Sequence, residues 1–203
     1  MSKWNKLASE KVINTTIKNL QDNGISGVVV KNKEEAKKKV LQLIPAGSEV
    51  MTMTSETLKS IGLPEEIDKN GNFDSIREKL SKMDRNTQSG EMQKIGAAPK
   101  YAVGSVHAVT KDGQVLIASN SGSQLPAYVY GSEHVIWVVG TQKIVKNLDE
   151  GMKRIYEYVL PLESERAKKA YGFTSNVSKL LFINKEVKPG RLTIIFLKEA
   201  LGF

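Results

Sequence analysis

Three short polar runs carry the side chains in this chain that could do chemistry: Thr54-Ser55-Glu56-Thr57, Asn120-Ser121-Gly122-Ser123-Gln124 and Gly140-Thr141-Gln142-Lys143. Each directly follows an apolar run that reads as a strand. Hydroxyls, side-chain amides and free backbone N–H groups at such a strand-to-helix junction suit the binding of an anion, because the first N–H groups of a helix have no partner within it. The expected ligand contacts are Ser55, Thr57, Asn120, Ser121, Gly122, Ser123, Gln124, Thr141, Gln142 and Lys143, with Lys143 supplying positive charge. For proton transfer the candidates are the carboxylates of Glu56 and Glu91 and the imidazole of His107, which titrates near neutrality when unperturbed. Each has a plain structural alternative. A hydroxyl residue at a helix start is an ordinary N-cap, a carboxylate in a first turn complements the helix dipole, and a strand histidine is as readily held by a hydrogen bond.

Other chemistry lacks its usual support. There is no cysteine, which excludes disulfides, thiolate metal sites, a Cys nucleophile and a cysteine-ligated iron–sulfur cluster within this sequence. With only His107 and His134 present, a histidine-based metal centre would need aligned carboxylates, and His134 opens a predicted strand, at the end away from the polar loops. Neither a Gly-x-Gly-x-x-Gly, a Walker loop nor a Gly-x-Ser-x-Gly elbow occurs. The net charge of +8 attracts small anions, yet the lysines are scattered, and the densest group, Lys31 to Lys39, is interrupted by Glu34 and Glu35. Specific nucleic-acid recognition is therefore not expected. No apolar run is long enough to cross a bilayer and the start lacks an apolar leader, so we expect a cytoplasmic protein with no membrane partner.

The elements that must position these residues alternate along the chain. Leu7, Ile13, Ile17 and Leu20 predict an opening helix stopped at Asn23-Gly24, followed by a strand over Ile25 to Val30. Asn32 and Glu35 form a capping-box pattern before Ala36, Val40 and Leu43, and Pro45-Ala46-Gly47 ends that helix. Glu49 to Met53 predicts a second strand, and Leu58 and Ile61 a short helix. Residues 63–100 read as polar and mostly helical, with Asn86 to Lys100 weakly periodic. From Tyr101 the chain predicts a hairpin with Asp112-Gly113 as a two-residue turn, which would place His107 opposite Ala118. Pro126 suits the first turn of a helix, and Val135 to Val139 is an apolar strand. Leu148, Met152, Ile155 and Val159 form a helical stripe before Pro161, a further helix runs to Gly172, and two strands over Lys179 to Ile183 and Leu192 to Leu197 close the chain. With 203 residues and no low-complexity linker, this is one α/β domain over 1–203, with a mainly parallel sheet and one β-hairpin. In such sheets ligands collect beyond the carboxyl ends of the strands.

The sequence also resembles the LUD domain family, the group named for lactate utilisation. The likeness runs from Trp4-Asn5-Lys6-Leu7-Ala8 through Ser55-Glu56-Thr57-Leu58 to Gly190-Arg191 and Leu201-Gly202-Phe203. Its most specific portions are Gly104 to Thr110 with Asp112-Gly113, Gly122-Ser123-Gln124-Leu125, and Val139 to Val145. The resemblance implies a three-layer α/β fold like those of glucosamine-6-phosphate deaminase, ribose-5-phosphate isomerase and the CoA transferases. It further implies an accessory or regulatory part in lactate or other organic-acid utilisation, beside partner subunits that carry iron–sulfur clusters. This chain departs from longer relatives in lacking their cysteine-rich portion, so no cofactor is expected within it. Nor does any stretch match the catalytic Glu motif of the CoA transferases or the Asp/Lys signature of the pentose isomerase, and fold likeness alone carries neither activity. Two readings stay open: a subunit binding a small anionic metabolite or a partner, and a stand-alone enzyme acting on a sugar phosphate, a CoA thioester or a folate-like substrate. Self-association into a homo-oligomer is compatible with both.

Overall fold

In the computed structural model, which describes residues 2–203, the apolar runs become strands in two sheets. The strands are β1 (Ser26–Val30), β2 (Glu49–Thr52), β3 (Asp74–Ser75), β4 (Tyr101–Gly104), β5 (Ala108–Thr110), β6 (Val115–Ser119), β7 (His134–Gly140), β8 (Ile144–Val145), β9 (Lys179–Ile183) and β10 (Leu192–Leu197). Six of them form an all-parallel sheet in the order β1-β10-β7-β4-β2-β3, and four form a smaller sheet in the order β8-β5-β6-β9. The central strands are apolar at nearly every position because both faces of the large sheet are covered.

The period-two alternation of those strands separates two cores. Ala102, Val135, Trp137, Val139, Ile194 and Phe196 point to one face, where they meet Leu20 of α1 (Glu10–Asp22), and Val115 and Ile117 of the small sheet. Tyr101, Val103, Ile136, Val138, Ile195 and Leu197 point to the other face, against Ala36 and Val40 of α2 (Lys33–Leu43), Leu58 of α3 (Glu56–Ser60), and Leu63 and Ile67 of α4 (Leu63–Asp68). Helix α5 (Ile76–Ser81) adds Ile76 to the first core, whereas α6 (Arg85–Ala97) buries no residue fully. The outer face of the small sheet is covered by α7 (Leu148–Arg154) and the turn that follows it into α8 (Leu160–Tyr171), with Trp4, Leu148, Met152 and Ile155 packed on Ala108 and Leu116. The domain is thus a three-layer α/β fold, its helices on both faces of a parallel sheet, with a small sheet inserted on one side.

Local rules account for most boundaries. Asn32 accepts from the Glu35 N–H at 2.9 Å, and the Glu35 carboxylate reaches back to the Lys31 N–H at 2.9 Å, so the capping box closes one residue earlier than the usual pattern. Asn147 caps α7 through the Glu150 N–H at 3.1 Å.

Four details differ from the sequence expectation. The hairpin turn has three residues, not two: Val109 pairs with Val115, and Lys111-Asp112-Gly113 forms the loop, with Gly113 at φ 80°. This is the bulged alternative to a two-residue turn, and it shifts the register by one residue. Its cause is tertiary, since Asn19 and Asn23 of the α1 end donate to the carbonyls of Lys111 and Asp112 at 2.7 and 2.9 Å. Secondly, Pro161 does not end a helix: a π-turn over Ile155–Val159 joins α7 to α8, and Leu160 bonds back five residues to Ile155. The wider turn lets the proline sit in the first turn of α8, where no N–H is needed. Thirdly, β3 and β8 were not expected; each is a two-residue pairing, β3 with Glu49 and Val50 and β8 with Val109 and Thr110. Leu7, lastly, precedes α1 and is 43% exposed.

Gly104 ends β4 where a Cβ would lie 1.8 Å from the hydroxyl of the buried Tyr128. Gly104→Ala should therefore destabilise the domain by about 1–3 kcal/mol, the usual cost of overpacking a filled core. Urea titration checks this: the midpoint should fall with an unchanged slope, and a midpoint equal to that of the parent would show that Tyr128 can move aside freely.

Candidate functional site

Two neighbouring strands leave the large sheet together, and the gap between them holds the candidate site. Strands β4 and β7 pair as far as Gly104 and Trp137. Past Gly104 the chain runs through Ser105-Val106-His107 into β5 of the small sheet. β7 continues beside β10 to Gly140, turns through Thr141–Lys143 and enters β8, which pairs with β5 at Val109 and Thr110. The same two segments are thus adjacent in both sheets, and the two crossings, Ser105 to His107 and Thr141 to Lys143, lie between.

Lys143 fills this junction. Its Nζ lies 3.2 Å from Ser105 Oγ, 3.1 Å from the Val106 carbonyl and 3.2 Å from Thr57 Oγ1. Thr57 reaches it from the second residue of α3, and its hydroxyl donates to the Leu201 carbonyl at 3.2 Å. The Gln142 side-chain amide donates to that same carbonyl at 2.9 Å. Of the three polar loops that the sequence reading brings to one rim, those after β2 and β7 meet, joined by the C-terminal segment and by the crossing after β4.

A second buried cation stands nearby. Arg154 ends α7, three residues after Gly151, whose missing side chain lets the helix approach Leu116 and Ala108 of the small sheet. Its guanidinium is fully buried, lies 5.2 Å over the Tyr158 ring, and has no hydrogen-bond partner on any of its three nitrogens. None of the ion pairs among the described residues includes Lys143 or Arg154. Burial, and then the positive charge of Arg154, push the Lys143 amine well below the ordinary lysine range. Burial likewise lowers Arg154, to about 10, so it stays charged at neutral pH. Burying a charge without a counter-charge is costly, and these two basic groups have only neutral oxygens and an aromatic face around them.

His107 borders the same region. Its Nδ1 accepts from the Ala118 N–H at 3.0 Å, which leaves that nitrogen unable to carry a proton and fixes the other tautomer. Burial first, then Lys143 and Arg154, push its pKa down to about 3. The one-residue register shift does not break this contact, because the imidazole rather than the backbone reaches Ala118.

The remaining expected site residues are placed as follows. Ser55 caps α3 through the Leu58 N–H at 3.4 Å, Glu56 pairs with Lys59 at 2.8 Å, and Glu91 on exposed α6 lies 3.9 Å from Lys94. The run Asn120 to Gln124 follows β6 and bonds mainly within itself: Ser119 donates to Gln124 at 2.9 Å and accepts from the Gly122 N–H at 2.8 Å, while Asn120 accepts from Ser178 at 3.0 Å. No hydrogen bond among the described residues joins this run to Thr57, Gln142 or Lys143; it adjoins them only through Ala118 and His107. Gly122 has φ 86°, so its glycine meets a turn requirement, and a Cβ there would lie 2.6 Å from the Lys179 side chain. His134 stacks on Tyr101 at 4.7 Å at the amino ends of the strands, away from the junction. Toward β3 the polar groups satisfy one another: Thr52 and Ser75 donate to Asp68 at 2.6 and 2.8 Å, and Arg77 bonds the Thr52 carbonyl. No group of three or more His, Asp or Glu converges as a metal site among the described residues.

Sequence reasoning missed Ser105 and Arg154. The signal for Arg154 was present: it lies at i+3 from Gly151 beside Ile155, so a basic residue sits on the apolar stripe of a helix.

Fold and junction together define an α/β domain with a polar, positively charged centre beyond the carboxyl ends of parallel strands. The LUD domain family model matches residues 13–197, and the chain belongs to that family. Among solved structures, a DUF162 family protein from Deinococcus radiodurans is similar, at 12% identity and a TM-score of 0.59, over 95% of this chain and 99% of that one. At that identity the likeness bears on the fold alone. No curated protein sequence matches the chain.

The His107 contact has a pH consequence. Its folded pKa lies below the unfolded value near 6.5, so the unfolded chain binds the proton first as pH falls. Its contribution to stability is full above pH 6.5 and is lost on going down toward pH 3. Between pH 7 and 5 this amounts to about 2 kcal/mol at most. His107→Gln, which can still accept from Ala118, should flatten the stability profile by that amount relative to the parent in paired urea titrations. Parallel profiles for the two proteins would show that the imidazole takes up its proton without leaving its place.

Proposed function

We propose that this LUD-domain protein binds a small organic anion at the Lys143–Arg154 junction and serves organic-acid utilisation in the cytoplasm, lactate being the substrate that the family's name suggests. Iron–sulfur oxidoreductase subunits are the partners that such a role requires, because a chain without cysteine has no thiolates to hold a cluster of its own. The observation that carries the reading is Arg154: fully buried, unpartnered on three nitrogens, and near a second buried basic group with no acid paired to either. A planar guanidinium with its donors free matches a carboxylate or phosphate in two parallel hydrogen bonds. The net charge of +8 favours the approach of such a ligand. Thr141 Oγ1 and Gln142 Oε1, also buried and unpartnered, add polar groups along the same rim.

The second reading, a stand-alone enzyme, is favoured by one observation, the displaced acid–base behaviour of Lys143, since functional sites are where such shifts gather.

Lactate, pyruvate, citrate and phosphate should be screened for stabilisation at constant ionic strength. An anion at a hundred times its Kd should add about 2.7 kcal/mol. Arg154→Met should lose that response and, by removing an unpaired buried charge, make the ligand-free protein more stable by about 1–4 kcal/mol. Absence of any anion-specific stabilisation in the parent protein, or a strongly destabilised Arg154→Met, would turn the cation pair into a purely structural feature. Affinity purification of the tagged chain with cluster-bearing proteins tests the partner claim separately.

A further inference from the structure

We propose that Lys143 is a carbonyl-reactive amine, and that the anion held beside it carries an aldehyde or ketone, which Lys143 captures as an imine. This rests on the anion-binding reading above and narrows it to a substrate class, the anionic carbonyl compounds. Three oxygens surround Nζ. The Thr57 hydroxyl commits its proton to the Leu201 carbonyl, so toward Lys143 its oxygen can only accept, and the Val106 carbonyl can only accept. These two match the two N–H bonds of a neutral amine. The third neighbour, Ser105 Oγ at 3.2 Å, accepts from Nζ, and its freely rotating hydroxyl can instead turn its proton to the nitrogen lone pair when the amine is neutral. The three oxygens thus satisfy either an ammonium or, with the Ser105 hydroxyl turned round, a neutral amine, and what favours the neutral form is the missing counter-charge.

The wider surroundings favour the same form. An ammonium acting only as a stitch between strand ends would be helped by a carboxylate. Lys143 instead has 2% exposure, the Arg154 guanidinium nearby, and a histidine whose Nδ1 is taken up by the Ala118 N–H. Apolar burial and a neighbouring cation are two recognised ways of keeping a lysine nucleophilic at neutral pH. The guanidinium then has a second task, holding the acidic group of the molecule whose carbonyl meets the amine.

The step balances without any other reagent. The Nζ lone pair adds to the carbonyl carbon as the C=O π pair moves to oxygen, which takes up a proton; nitrogen releases one, giving a carbinolamine. Loss of the hydroxyl as water and of the remaining N–H proton leaves the C=N bond. Amine and carbonyl give imine and water, and nothing is oxidised or reduced. Ser105, the hydroxyl nearest Nζ, is placed to pass the proton. Because Lys143 is covered by the Lys3–Asn5 turn packed on Thr141–Lys143 and by the Leu201 segment, capture needs one of these to open.

The test is reductive trapping on the full chain. The protein is incubated with cyanoborohydride and, in separate arms, with pyruvate or glyoxylate, with glyceraldehyde 3-phosphate or ribose 5-phosphate, with acetone, and with lactate. Intact mass and peptide mapping then locate any adduct. The expected result is one dominant adduct at Lys143 with either the 2-oxo acids or the sugar phosphates, which identifies the acidic group. That adduct should be lost in Lys143→Arg and reduced in Arg154→Met, while acetone and lactate leave Lys143 unlabelled. If lactate or another anion stabilises the protein but no carbonyl anion labels Lys143, the amine proposal falls and the anion site stands. If no anion stabilises and none labels, both fall. Labelling of Lys143 by acetone as fully as by the anions would overturn the requirement for an acidic group. Wild-type trapping decides the matter even if Lys143→Arg fails to fold.

Discussion

The structure depends on one crossing. Strands β4 and β7 are neighbours in the large sheet, and the segments that follow them are neighbours again in the small one. Two chains that leave a sheet side by side forfeit their ladder hydrogen bonds at the point of departure, and those backbone groups must be satisfied some other way. The Lys143 amine does part of this, bonding the Val106 carbonyl and tying Ser105 to Thr57 of α3. The lysine therefore sits where it does for reasons of chain path. Its chemistry follows from that path, because a group placed at the centre of such a crossing is covered on all sides.

Placing Arg154 beside it is a second decision of the fold. Gly151 lets α7 lie close on Ala108 and Leu116, and one turn later the guanidinium enters the same dry region. The helix then widens into a π-turn at Ile155, directly after the arginine. Such turns insert a residue into a helix and are common at functional positions. Two buried basic groups with no acid paired to either conflict with stability taken alone, and such conflicts are expected at functional sites rather than in cores. Other acids are engaged elsewhere: Asp68 with Thr52 and Ser75, Glu56 with Lys59, and, at the amino ends of the strands, Glu186 with Arg191 at 2.7 Å. Arg191 offers a contrast, because it too is buried, yet its fork is filled by Glu186 and by the carbonyls of Tyr128, Val129 and Ser132. It holds the π-turn over Ala127–Gly131 in place, as a structural arginine does.

Much of this was legible beforehand where physics is local. The capping residues Asn32, Ser55 and Asn147 each accept the N–H that their spacing implied. The β-branched runs became strands covered on both faces, and two of the three polar loops, those after β2 and β7, meet at the Leu201 carbonyl while the third bonds within itself. The misreadings came where distant segments decide. The hairpin loop took its third residue because α1 docks on it through Asn19 and Asn23. Pro161 reads as a stop only if the helix before it is regular, and β3 is too short to leave a pattern.

By itself the sequence determined the class of fold, the alternation of elements, the carboxyl-end location of the polar loops and the absence of thiol chemistry. These follow from periodicity, propensity and composition, each of which acts over a few residues. Only the tertiary structure decided that Lys143 loses its water and gains a cationic neighbour, while the equally polar run from Asn120 to Gln124 turns its hydrogen bonds inward. Desolvation and charge–charge coupling depend on what is packed around a group in three dimensions, and the residues packed around Lys143 come from four separate parts of the chain: Thr57, Ser105, Arg154 and the Trp4 turn.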